Sequence, residues 1–205
     1  GRTIVWVHYV GYLSEQGKSA AAMSDLMGVT VRTEERYARL TPLLDATGPL
    51  AGVRPVLGLT EMLMTIMVAS GQSSFAAREQ PFWIEDPQAT PLAHYAETGQ
   101  VAGAVRKLPG WTSVVLVGSH SLTGDLLHAL AQQAGAFVAG PPGQSLNLSG
   151  SFASLHGLRT GAYPLRVPPG VKRVLDADTH QPLPLRDSVC TLNVRAQETI
   201  WLELQ

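Results

Sequence analysis

Ile4-Val5-Trp6-Val7-His8-Tyr9-Val10, closed by Gly11, is the stretch on which the reading of the fold turns. It carries no Asp, Glu, Lys or Arg and is rich in β-branched and aromatic side chains. Such a run is a strand buried on both faces, the kind found inside parallel sheets. The next segment fits a strand–helix–strand unit. Residues 19–26 (SAAAMSDL) form a short helix, Gly28 stands where a C-terminal cap belongs, and Val29-Thr30-Val31-Arg32 forms a second strand.

Residues 34–55 are polar and contain proline, so they read mostly as connection. Leu59, Met62, Leu63, Ile66 and Met67 recur at helical spacing behind Thr60, which suggests a strongly apolar helix, with a strand as the alternative. Residues 81–84 are a strand closed by Asp86-Pro87, and residues 89–95 are expected to form a turn of helix. Residues 101–107 and 113–117 flank a turn at Pro109-Gly110-Trp111. Residues 121–133 (SLTGDLLHALAQQ) give the clearest helix, with Leu122, Leu126, Leu127, Leu130 and Ala134 on one face and Gly135 as its cap. Phe137-Val138 is the next short strand.

From Gly140 onward the pattern changes. Short alternating pieces at 145–148, 152–156, 161–167, 171–176, 188–194 and 199–204 are separated by Pro, Gly, Asp and Asn. That is an antiparallel β pattern. The expected organisation is an α/β domain over residues 1–158 and a small β-sandwich-like module over 159–205.

Bulk properties narrow the function. Hydrophobic residues make up 45% of the 205 and charged residues 15%, a globular composition with material for a core. Net charge is −1 and no run of like charges occurs, so neither a nucleic-acid partner nor an anionic membrane is expected. No apolar stretch reaches the roughly 20 residues that span a bilayer. One cysteine, Cys190, excludes an intrachain disulfide and leaves the compartment open. The opening Gly1-Arg2-Thr3 enters an apolar run at once and is read as a cut inside a longer polypeptide.

In their order along the chain, several segments resemble a known family. GRTIVWVHYVGYL and MSDLMGVTVR resemble the glutamine-amidotransferase-like domain, called the trimerisation domain, of glycoside hydrolases similar to family-42 beta-galactosidases. WIEDPQATPLAHYAETGQVAGAVRKLPGWTSVVLVG, SLTGDLLHALAQQAGAFV and FASLHG resemble the later part of that region. PLRVPPGVKRVLDADTHQPLPL and ETIWLEL resemble the small β-module that closes such proteins. The resemblance implies a flavodoxin-like, doubly wound sheet, here without its first strand and helix, that has lost amidotransferase chemistry.

The residues themselves offer no complete active site. A class I amidotransferase needs a nucleophilic Cys on a strand-to-helix elbow. Cys190 instead alternates with Val189 and Thr191 inside a strand pattern and reads as a buried small hydrophobe. Gly118-Ser119-His120-Ser121-Leu122 lacks the second glycine of a nucleophile elbow, and Ser119 or Ser121 reads as a helix cap. Glycoside hydrolysis needs two carboxyls about 5–10 Å apart. The neighbours Glu85 and Asp86 point to opposite faces of a strand and do not make that pair. Glu15, Asp25, Asp125 and Asp176 are dispersed. His8, His94, His120, His128, His156 and His180 show no metal-ligand spacing. No phosphate-cradling glycine loop is present, so no catalytic residue, metal or cofactor is assigned. The sequon at Asn147-Leu148-Ser149 is of a kind that arises often by chance.

Of the four tryptophans, Trp6 and Trp83 read as core, and Trp201 alternates with Ile200 and Leu202 and could face either side. Trp111, in its Pro-Gly turn, is the exposed one and the weak candidate for sugar stacking. The expected function is a non-catalytic accessory region of a larger glycoside hydrolase, partnered by the parent's catalytic barrel and by further copies in a homo-oligomer. Leu59, Met62, Leu63, Met64, Ile66, Met67 and Val68 form its expected interface, because large exposed apolar patches mark partner surfaces. The alternative is a carbohydrate-binding module that uses exposed aromatics.

Overall fold

A computed structural model describes residues 1–38, 40–53, 80–118, 122–141 and 143–205. The expected interface from Leu59 to Val68 lies outside the described residues, as do Ser119, His120 and Ser121. The chain divides into two compact units, Gly1–Ala129 and Leu130–Gln205.

In the first unit the elements run β1 (Arg2–Val7), β2 (Leu13–Ser14), β3 (Gly17–Lys18), α1 (Ala20–Met27), β4 (Val31–Thr33), β5 (Pro42–Leu44), β6 (Phe82–Ile84), β7 (Thr90–Tyr95), β8 (Val101–Leu108) and β9 (Trp111–Leu116). Helix α2 (Gly124–Gln133) runs across the boundary between the units. Helix α1 forms where the Ser19 hydroxyl accepts from the Ala22 amide at 3.1 Å. It stops at Gly28, whose φ of +66° takes the left-handed conformation of a C-cap. Its Met23 and Met27 are fully buried against Val31, Phe82, Ile84 and Val115 of the sheet.

That sheet is ordered β1-β9-β8-β6-β4, with β7 also on β8 and β5 on β7. β1 lies parallel to β9, from Arg2 opposite Trp111 to Val7 opposite Leu116, but it ends at Val7 and is exposed to half-buried along its length where residues 4–10 were expected to be buried on both faces. The other described pairings of this sheet are antiparallel. The described strands thus make a mixed sheet, where the resemblance implied a doubly wound parallel one. The physical reason is visible at Pro109-Gly110. With Leu108 paired to Trp111, only these two residues join β8 to β9, and a connection so short can only return the chain antiparallel. Gly110, at φ +83°, supplies the conformation that the turn needs.

Two expectations are corrected here. Residues 89–95 are not a turn of helix but strand β7. They pair with β5 on one side and β8 on the other, with Ala93 and Tyr95 buried at alternate positions. The pairing shifts register beside Pro91, where a strand proline is tolerated. The polar stretch 34–55, read as mostly connection, also holds the short strand β5. Helix α2 begins at Gly124, with the Leu126 amide donating to Thr123 Oγ1 at 3.2 Å, and Gly135 follows it at φ +71°.

The second unit holds β10 (Ser145–Ser149), β11 (Phe152–His156), β12 (Gly161–Arg166), β13 (Val174–Asp176), β14 (Pro182–Leu183), β15 (Leu185–Arg186), β16 (Val189–Val194) and β17 (Thr199–Leu204). They form a five-stranded sheet, β10-β11-β17-β13-β14, and a three-stranded sheet, β12-β16-β15. All their pairings are antiparallel. One core joins the sheets, with Ala153, Leu155 and Leu202 from the first meeting Leu165, Cys190 and Leu192 from the second. The two sheets pack as a sandwich that also takes in β10 and β11, which lie within the residues 1–158 expected as the α/β domain. Asp187 and Ser188, at φ +50° and +61°, are the two-residue turn between β15 and β16. Residues 137 and 138, expected as a strand, are irregular, and Phe137 is exposed.

Candidate functional site

Each residue that could carry chemistry can be followed to its place. Cys190 lies in β16, opposite Leu165 and Leu185, and has no exposed surface. Burial pushes its thiol above the ordinary value, so it behaves as core. Glu85 and Asp86 follow the end of β6 and lie outside any strand. Glu85 reaches the exposed Arg32 at 2.8 Å, whereas the Asp86 side chain is only 3% exposed. Asp86 accepts from the amides of Thr30 at 3.1 Å and Gln88 at 2.9 Å, and from Arg106 Nη1 at 2.8 Å. Arg106 also donates to the Gly28 carbonyl and the Gln88 side chain. This cluster fastens the end of α1 and the start of β4 to β8, and its donors and acceptors are engaged with one another.

The described histidines do not converge on one place. His94 meets Asp45 at 3.0 Å, His156 meets Thr199 Oγ1 at 2.9 Å, and His180 meets Glu203 at 3.2 Å. Among the described residues no group of three His, Cys, Asp or Glu side chains could hold a metal ion. A shallow cleft of about 350 Å³ runs between α1 and β4, lined by Ser24, Asp25, Thr30 and Arg32 among others. His8, just past the end of β1, has a backbone φ of +64° and lies against Tyr9, ring centres 3.8 Å apart and planes tilted by 47°. Among the described residues five non-glycine residues have positive φ, and His8 is the one of these in the first unit.

The tryptophans fall differently from expectation. Trp111 is half-buried, its ring set edge-on to Trp6 at 6.4 Å. The exposed ring is Trp201, 53% accessible in β17. Phe152, in the neighbouring β11, is also 53% accessible. Their register explains why. Ala153 opposite Leu202, and Leu155 opposite Ile200, point into the sandwich. Alternation then turns Phe152, Ser154 and His156 outward on β11, opposite Glu203, Trp201 and Thr199 of β17. Asn147 of β10, opposite Ser154, continues that face and is exposed. The two rings are diagonal neighbours across a strand pair. This surface is the described region where exposed aromatic and hydrogen-bonding groups converge on a rigid scaffold. Phe152 carries no signal in the sequence alone, because a Phe in an alternating strand reads as core.

No protein-family model matches the chain, and no curated protein does. Solved structures do resemble it. A beta-galactosidase from Bacillus circulans sp. alkalophilus is similar over 99% of this chain and 29% of its own, at 13% identity and a TM-score of 0.58. A catalytic mutant of a GH42 beta-galactosidase from G. stearothermophilus is similar over 99% and 28%, at 12% identity and a TM-score of 0.55. A beta-galactosidase from the Antarctic haloarchaeon Halorubrum lacusprofundi is similar over 99% and 27%, at 16% identity and a TM-score of 0.54. The chain therefore shares its fold with a segment of these enzymes and spans less than a third of their length.

Proposed function

We propose that this chain is a non-catalytic accessory region of a larger glycoside hydrolase of the beta-galactosidase type, buttressing its catalytic barrel and helping its copies associate. The observation that supports this reading is the coverage. Nearly the whole chain follows a segment that occupies less than a third of several beta-galactosidases. The chemistry of the described residues agrees with a supporting part. The single thiol is core, and the part-buried pair of Asp86 with Arg106 is taken up in joining α1, β4 and β8. An amidotransferase-like origin for the first unit belongs to the same proposal, supported by the parallel β1–β9 pair with α1 packed against the sheet.

The test begins with the sequence encoded upstream of Gly1, which should specify a barrel able to present two carboxyls. The full gene product should hydrolyse an aryl galactoside, and the 205-residue chain alone should hydrolyse neither that substrate nor glutamine. Removing these residues from the full product should lower its mass in light scattering. Turnover by the purified chain that one substitution within it abolishes would overturn the reading. So would an upstream frame that encodes no barrel.

A further inference from the structure

We propose that the outward face of β10, β11 and β17 is a binding site for a neutral saccharide, with Trp201 and Phe152 as its stacking platform. The proposal stands on the sandwich unit alone and does not depend on what the parent enzyme cleaves. Single exposed apolar side chains are ordinary on a protein surface. Here two aromatic rings, each 53% exposed, sit diagonally on hydrogen-bonded strands, with Cα atoms about 7–8 Å apart by the geometry of such pairs. The strands are held by pairing on both sides, β11 between β10 and β17, and β17 between β11 and β13. The rings are therefore presented without the loop ordering that would weaken binding.

The surroundings of the rings select the ligand. The exposed Asn147 puts an amide on the same face, where Ser154 is buried and the Thr199 hydroxyl already meets His156 Nδ1 at 2.9 Å. The carboxylate of this face, Glu203, is already met by His180 at 3.2 Å. No lysine or arginine occupies the outward positions of the three strands, so the face offers nothing to phosphates or to an anionic membrane. A protein partner calls for a contiguous apolar centre. The outward positions of β10, β11 and β17 hold no large apolar side chain beyond the two rings. A pyranose has an apolar C–H face and a rim of neutral hydroxyls. It matches a platform of two rings with the amide of Asn147 on the same face, as amphipathic surfaces match aromatic side chains generally.

The experiment is affinity electrophoresis of the full 205-residue chain through gels containing a neutral galactan, xylan or β-glucan, with isothermal titration of the matching tetrasaccharide. Retardation in at least one gel is expected. Trp201→Ala and Phe152→Ala should each weaken binding by about tenfold or more, the size of one stacking contact. Trp201→Phe, which keeps a ring, should recover part of that loss. Thermal melts will show that the variants fold, which exposed positions should allow. Migration unaffected by all three polysaccharides would overturn the proposal. So would binding that both alanine variants retain. A fall in light-scattering mass on Trp201→Ala, without saccharide binding, would assign the face to contact between copies of the chain and overturn it equally.

Discussion

Asp86 shows how a residue set in a turn by its sequence can hold a fold together. Asp-Pro is a usual turn opener, and the structure adds what adjacency could not show, a guanidinium that arrives from β8. Burial pushes the Asp86 carboxyl up. The Thr30 and Gln88 amides and Arg106 together outweigh this and hold it below the usual 3.8. A carboxyl with a depressed folded-state value contributes stability that is present above the unfolded value and lost as pH falls through the folded one. Asp86→Asn should therefore lower the urea midpoint of the first unit at pH 7 by an amount worth about 1–3 kcal/mol, since Arg106 loses its countercharge. Below about pH 4 the two proteins should converge, because the wild-type carboxylate is then being protonated. Tryptophan fluorescence can follow this, as Trp6, Trp83 and Trp111 all lie in the first unit. A gap that stays constant from pH 7 to pH 3 would count against the role given to Asp86.

At the scale of elements, what was legible in the sequence depended on whether local pattern or distant pairing decided the outcome. The caps at Gly28 and Gly135, and the alternation of the tail, are local, and they appear close to where they were read. Strand β7 was not legible. Thr-Pro-Leu-Ala-His-Tyr has a proline and a small residue where strands usually carry bulk, and it is a strand because β5 and β8 flank it. The aromatic face was half legible. Trp201 alternates with Ile200 and Leu202, and alternation separates two faces without saying which is covered. The core lying on the other side of β17 decides it. Gly157, next to the end of β11, teaches the same lesson. It exchanges backbone hydrogen bonds with the β16–β17 turn, donating to Glu198 and accepting from Gln197. A Cβ there would run into the Arg195 carbonyl oxygen, so the requirement is for space and not for an unusual φ. Gly157→Ala should destabilise the second unit by about 1–3 kcal/mol, the ordinary effect of overpacking. Gly161→Ala, where a Cβ meets nothing within 4 Å, should stay within about 0.5 kcal/mol of the parent. Equal losses at both positions in urea titrations would show that the contact at Gly157 relaxes freely.

At the scale of the whole molecule, the two units differ in how much of their architecture the described residues complete. The second unit is closed upon itself. Its core draws on both of its sheets and on residues of that unit alone, from Ala153 to Leu204. Small antiparallel sandwiches need neither disulfide nor metal once such a core exists, although a unit this size rarely exceeds about 3–5 kcal/mol of stability. A polypeptide spanning Leu130–Gln205 should therefore fold by itself. Its pairings are distant in sequence, β12 with β16 and β11 with β17, so folding should take milliseconds to seconds. Cys190 provides the measurement. It is the one thiol of the chain, it is fully buried, and its neighbours belong to its own unit. Its protection from a thiol reagent should vanish at the same urea concentration in the isolated segment as in the full chain. Tryptophan fluorescence of the full chain, dominated by the first unit, should report a separate transition. Rapid labelling of Cys190 in the isolated segment without urea would show that the sandwich depends on the rest of the chain, and that its core, although contiguous, is not enough.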